Sequence, residues 1–316
     1  MKTGLFVSIV VAVTAVGPVS AAAQTPAAAT RTYTPPRTPD GQPDIQGYWV
    51  AGGPTGAPTF PTYTLEGGDL YDEAQTTVFG QGGALRGPDG KYVKAASVVV
   101  DPPSGKIPYQ PWALAKRQEH FENHTHPTKP EHIDDRARCH LPGVPRSIYS
   151  GNSQFVQTPG YVVLLYEWNH MTRLIPLDGR PHISPKIKMP MGDSRGRWEG
   201  NTLVVDVTNF DDRTWVVGHG APPEGAPASS LTTGHGVFHT EALHVVERFT
   251  LVDADTIRYE ATIEDPNVFT RPWKIDFNAF TRAPADHQLF EYACHEGNSR
   301  NIKMMTGFDI DKGKQE

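Results

Sequence analysis

The second half of the chain alternates apolar and polar residues with the two-residue period of a half-buried strand. In Thr256–Glu264, Ile257, Tyr259, Ala261 and Ile263 share one face, and Arg258, Glu260, Thr262 and Glu264 share the other. In 243–252, Leu243, Val245, Glu247 and Phe249 stand opposite His244, Val246, Arg248 and Thr250. Neither face is wholly apolar, which fits a barrel with a partly polar lumen and equally a solvated outer wall. Asp253-Ala254-Asp255 joins these two runs as a hairpin, and Glu199-Gly200-Asn201 joins 196–198 to 202–210 in the same way. Further strand signals lie at 155–157, 161–168, 171–177, 273–281 and 288–294. About eight short strands joined by tight turns predict a mainly β fold, an antiparallel up-and-down barrel or a strongly curved sandwich. Parallel βαβ architecture is excluded because crossover helices are missing.

The first half reads differently. Strand candidates are confined to 45–50 and 92–100, separated by Gly/Pro/Thr-rich loops. One short helix is predicted over 112–126, running into a His-rich stretch in which His120, His124, His126 and His132 read as a polar loop. The 30 glycines and 29 prolines in 316 residues exceed the usual combined share of about 12 % and suit short strands with long loops. Residues 24–43 read as an Ala/Thr/Pro-rich flexible leader, and 44–316 as a single domain.

The extreme N-terminus reads as a secretory signal over 1–23. Lys2 supplies the charge, 5–19 the apolar core and Ala21-Ala22-Ala23 the cleavage site. The apolar core is shorter than the roughly 20 residues of a membrane span, so the mature chain is expected to be secreted or periplasmic, without a span; a permanent N-terminal anchor is the alternative. In that compartment the two cysteines, Cys139 and Cys294, are expected to pair; a reactive thiol or metal ligand is the alternative. Formal charge is −6 with both signs interspersed, which argues against nucleic acid or an anionic membrane as partner.

Several phrases resemble a family of exported, largely uncharacterised bacterial proteins: PDGQPDIQG at 39–47, GDSRGRWEG at 192–200, LVVDVTNF at 203–210, LHVVERF at 243–249 and YACHEGN at 292–298. The likeness spans most of the mature chain and implies no activity. Gly47-Tyr48-Trp49 also resembles the G-x-W that opens the first strand of lipocalin-like (calycin) barrels. That resemblance implies a barrel with a ligand cavity at its mouth.

No nucleophile elbow, P-loop, dinucleotide fingerprint or haem-attachment motif is present. The candidate chemistry is therefore acid–base work without a cofactor, as a lyase, isomerase or hydrolase on a small hydrophobic or phenolic ligand. His295 is the expected acid or base, oriented by Glu296 or Glu247, with Arg195 and Arg173 steadying negative charge. Tyr166, Trp168, His170, Tyr259 and Trp273 are the expected ligand-binding residues. His235, His239 and His244 form an alternative zinc set whose spacing does not by itself bring three ligands together. The rival readings are a non-catalytic ligand carrier and an envelope interaction protein that uses the loops of 51–90.

Overall fold

The computed structural model describes residues 33–51, 98–123, 127–136, 138–149, 151–217, 236–296 and 298–299, with short pieces at 303, 308–309 and 314–315. The expected signal sequence, most of the expected leader, residues 52–97, His124, His126 and His235 lie outside the described residues.

The strands are β1 (Gly47–Ala51), β2 (Val99–Asp101), β3 (Asn152–Thr158), β4 (Tyr161–Tyr166), β5 (Thr172–Pro176), β6 (Asp193–Glu199), β7 (Thr202–Thr208), β8 (Trp215–Val217), β9 (Val237–Phe238), β10 (His244–Leu251), β11 (Thr256–Glu264) and β12 (Trp273–Arg282). Among the described residues the one helix longer than four residues is α1 (Pro111–Asn123). One sheet runs β5-β4-β3-β1-β12-β11-β10-β7-β6, with β2 added at β12. Every ladder along this path is antiparallel, and the path curls into a nearly closed nine-strand barrel. The sandwich alternative therefore falls away.

Nine is an odd number, so alternating directions cannot close the ring. Strands β5 and β6 run the same way, and no ladder joins them among the described residues. Side chains close that seam instead. Arg173 Nε of β5 donates to Ser194 Oγ of β6 at 2.9 Å. Gly196 is needed because a Cβ there would lie 2.6 Å from Ile175 Cγ2.

Alternation decides what fills the lumen. Val245, Glu247, Phe249 and Leu251 of β10 and Ile257, Tyr259, Ala261 and Ile263 of β11 are all buried. A bulge at Ile257/Arg258 sets two residues of β12 against one of β11, so Ala279 and Phe280 are both buried beyond it. One end of the barrel is aromatic. Phe155 packs edge-on against Phe280 at 5.3 Å, and Phe249 against Tyr259 at 5.0 Å. Such pairs contribute about 0.5–1.5 kcal/mol each beyond their area burial. Trp49 is buried among them, with the Arg282 guanidinium 4.2 Å above its ring.

α1 is tied to the loop between β11 and β12. Val268 O accepts from Gln110 N at 2.8 Å, and Asn267 O accepts from Trp112 Nε1 at 2.9 Å. Among the described residues no helix is long and apolar enough to cross a membrane.

One local expectation is corrected. Residues 288–294 form no strand: the Phe290 and Tyr292 amides donate to Glu167 Oε2 and His170 Nε2 rather than to a ladder. The β8–β9 pair gave no sequence signal, because three and two residues are too few to show a period.

Candidate functional site

Four places hold candidate chemistry, and the sequence-flagged residues divide among them. Glu247 and Arg173 meet in the lumen, where they are 0 % and 3 % exposed. Arg173 Nη1 donates to Glu247 Oε1 at 3.0 Å, and a second guanidinium nitrogen reaches Oε2. Tyr259 Oη also donates to Glu247 Oε1, at 2.8 Å. Burial and then the Glu247 charge raise the Tyr259 hydroxyl well above its ordinary value. Burial alone would lower Arg173, but Glu247 outweighs it and raises the guanidinium. The groups satisfy one another, so this network is closed on itself. Tyr166 and Trp273 are buried core residues.

His295 and Glu296 lie elsewhere, exposed in the turn that follows Cys294. The Cys139–Cys294 disulfide is formed. An open cleft of about 410 Å³ at the disulfide is lined by His295, Glu296, His170, Asn169 and Tyr292. Trp168 stacks there on Tyr292 at 4.4 Å, under the Arg136 guanidinium. The structure thus brings His295, Glu296 and His170 to one cleft and leaves Glu247 and Arg173 in another place.

Arg195 faces the outer wall. It donates to Asp193 Oδ1 at 2.7 Å and to Pro181 O at 3.0 Å. Beside it, His182 bridges Asp193 and Asp206 at 2.8 Å each, and His244 Nε2 meets Asp206 at 3.1 Å. Burial alone would raise Asp206, but its bonds to His244 and His182 hold it below the usual carboxylate range. His244 is thereby occupied. His239 is buried, its Nδ1–H donating to Thr240 O and its Nε2 accepting from Thr214 Oγ1, both at 2.9 Å. Among the described residues no three ligands gather for a metal.

The fourth place was not flagged as a site by sequence. Pro111 at the first turn and the run Ala113-Leu114-Ala115-Lys116 start α1. The helix buries Ala113, Arg117 and His120, spaced i, i+4, i+7, and leaves Trp112 and Leu114 about half exposed. A pocket of about 400 Å³ opens between α1, the β8–β9 pair and residues 130–138. Its walls are Trp112, Trp215 and Phe238, and its polar lining mixes the cations Lys116, Arg138 and Arg213 with Glu131, Asp212 and His120.

His120 is 1 % exposed, and neither ring nitrogen has a hydrogen-bond partner. It stacks on Trp215, with rings 6.1 Å apart and 21° between planes, and meets Phe238 and His132 edge-on. Burial, reinforced by Lys116 and His132, pushes its pKa down to about 4, so the ring is neutral at pH 7. Lys116 Nζ sits 4.6 Å above the Phe238 ring. Arg138 donates to the carbonyls of Ile133 and Arg213, and burial lowers its pKa against the pull of the Asp135, Asp134 and Glu131 charges. Neither cation has a carboxylate within ion-pair distance among the described residues.

Trp215 is held from behind. Its N–H donates to Asp135 Oδ2 at 3.0 Å, and Asp135 is paired with the buried Arg146. Burial pushes Asp135 up to about 7 against the pull of Arg146. Gly236 completes the seat, because a Cβ there would lie 1.9 Å from the Trp215 ring. Gly236→Ala is therefore expected to cost about 1–3 kcal/mol by overpacking and to change the near-ultraviolet circular dichroism. An unchanged spectrum and urea midpoint would mean that Trp215 is not seated on this glycine.

Comparison with protein-family models, curated proteins and solved structures returned no match, so the reading of this site rests on its own geometry.

Proposed function

We propose that this chain is an exported small-molecule-binding protein on a lipocalin-like barrel, with its ligand in the pocket beneath α1 rather than in the lumen. The signal-like residues 1–23 and the Cys139–Cys294 bond support export, because disulfides persist in oxidising compartments. The Gly47-Tyr48-Trp49 opening of β1 in a nearly closed barrel supports the lipocalin likeness.

One observation carries the choice of site: a buried imidazole with two unsatisfied nitrogens in an aromatic-walled pocket. Buried polar groups are nearly always hydrogen-bonded, and leaving one bare costs about 1–3 kcal/mol. Both nitrogens are closed to solvent, so a ligand recovers that cost by parting the rings of Trp215 and Phe238 packed around His120. The pocket lies within the roughly 300–1,000 Å³ typical of small-molecule sites.

The same imidazole favours binding over turnover. General bases work best with a pKa near the operating pH, and a ring at about 4 is a weak base at pH 7. The lumen pair is no better placed for catalysis, since Arg173 and Glu247 are saturated by each other, Ser194 and Tyr259.

Calorimetric titration of the purified protein with phenol, indole, benzyl alcohol and benzoate tests the proposal. At least one is expected to bind with micromolar to millimolar Kd, and His120→Phe is expected to abolish it. No binding by any of the four, or binding unchanged in His120→Phe, overturns the site. Recovery of a chemically altered compound would replace the binding reading with an enzymatic one.

A further inference from the structure

We infer that His182 is a proton-operated tack on the outer wall: charged, it pins the connection between β5 and β6 to the barrel, and neutral, it releases it. The need for a tack follows from the odd number of strands. β5 and β6 run the same way, so the chain leaves β5 beside Gly196 and has to travel back outside the wall to begin β6 at Asp193. Residues 177–192 make that return. Asn209 gathers the far half, donating from Nδ2 to Ser184 O at 2.8 Å and to Ile187 O at 2.9 Å. His182 fastens the near half. Its Nδ1 lies 2.8 Å from Asp193 Oδ2 on β6, and its Nε2 lies 2.8 Å from Asp206 Oδ1 on β7. The Ile183 amide donates to the same Asp193 oxygen at 3.1 Å.

A neutral imidazole carries one N–H and one lone pair, whereas the imidazolium donates from both nitrogens. Between two carboxylates, the neutral ring would set its lone pair against an anionic oxygen. Only the charged ring makes both bonds, and charge-assisted bonds are the stronger kind. The proton belongs to the ring, because Asp206, against its burial, is held below the usual carboxylate range by its bonds to His244 and His182. The surrounding charges set the sense of the switch. β6 presents Asp193 and Arg195, whose Nη1 donates to Asp193 Oδ1 at 2.7 Å. β7 presents Asp206, β10 presents His244 at 3.1 Å from Asp206, and β11 presents Glu264 at 4.0 Å from His244. On the connection itself, Arg180 pairs with Asp178, Lys188 lies 3.5 Å from Glu241, and Lys186 is exposed. Three carboxylates thus face one permanent cation, Arg195, and the charged His182 supplies the second. Loss of its proton removes a donor and leaves Asp193 and Asp206 facing each other across the ring. The tack is therefore closed at low pH and opens as pH rises, and it fails again only in strong acid, where Asp206 takes up a proton. His182 keeps 26 % of its side chain exposed, so its proton exchanges with solvent without unfolding. Asp193 directly precedes Ser194, which bonds Arg173 across the seam, so release loosens the one side of the barrel that has no ladder among the described residues.

Amide hydrogen exchange of the purified protein at about pH 5.5 and about pH 9, either side of the ordinary histidine value of about 6.5, tests this. Protection factors are compared, because they divide out the base catalysis of exchange itself. The amides of Ile183 and Met189, the latter bonded to Asn209 O at 2.9 Å, are expected to lose at least tenfold in protection at the higher pH while β10 and β11 keep theirs. His182→Ala is expected to show the loss at both pH values. His182→Arg keeps a cation with several N–H donors and is expected to hold protection at both. His244→Gln is expected to retain the pH response. Equal protection of Ile183 and Met189 at the two pH values in the wild type overturns the inference. So does a pH response that survives in His182→Arg or disappears in His244→Gln, since another group is then the sensor. Loss of protection in β10 and β11 together with the connection also overturns it, because the event is then general unfolding rather than local release.

Discussion

Glu247→Ala is expected to lower the unfolding free energy by about 3–5 kcal/mol, the usual effect of removing one partner from a buried ion pair. The carboxylate is fully buried and accepts from both Arg173 and Tyr259, so its loss strands a guanidinium and a phenol at once. Arg173 also bonds to Ser194, and a neutral hydroxyl cannot balance a buried cation. Urea denaturation of the wild type, Glu247→Ala, Arg173→Met and the double variant closes the cycle. The double variant is expected to be more stable than Glu247→Ala, because an apolar replacement of the whole pair removes the stranded charge. If Glu247→Ala costs less than about 1 kcal/mol, the network is hydrated and the lumen is not dry there. If the double variant is no better than the single, the seam between β5 and β6 depends on the Arg173–Ser194 bond for closure.

The barrel was legible because strands carry a period of two, and Ile257, Tyr259, Ala261 and Ile263 mark one face without ambiguity. The same alternation placed Glu247 with Val245 and Phe249, and that face is the inner one. What alternation could not assign was which charged residues would share a compartment. Arg195 alternates with Ser194 and Gly196, small residues that face inward because the seam to β5 is tight, so the arginine points out. His295 needed a strand at 288–294 to reach the lumen, and side-chain and imidazole acceptors took the place of that ladder.

The pocket beneath α1 was hidden for a different reason. The buried stripe of α1 is Ala113, Arg117 and His120, while Trp112 and Leu114 stand half exposed, so the hydrophobic pattern points to the wrong face. A His-rich stretch with no apolar period reads as solvated loop. Its burial depends on Trp215 and Phe238, residues about a hundred positions away on strands too short to announce themselves. The one usable signal was local: strong helix formers following a proline, with Arg117 and His120 four and seven residues after Ala113.

Cys139→Ser/Cys294→Ser is expected to cost about 3–5 kcal/mol in the same urea assay. The bond closes a loop of 155 residues, for which the chain-entropy relation gives about 5 kcal/mol, and measured removals run from about 2 to 5. The loss should also be uneven along the chain. Residues 284–296 contribute no barrel strand; they are held by the disulfide, by the Tyr292–Trp168 stack, by the amide bonds to Glu167 and His170 and by the His287–Tyr48 contact. Without the bond, hydrogen exchange there should approach that of an open segment while β10 and β11 stay protected. Unchanged stability would mean that the stack and the two amide bonds hold that segment without it.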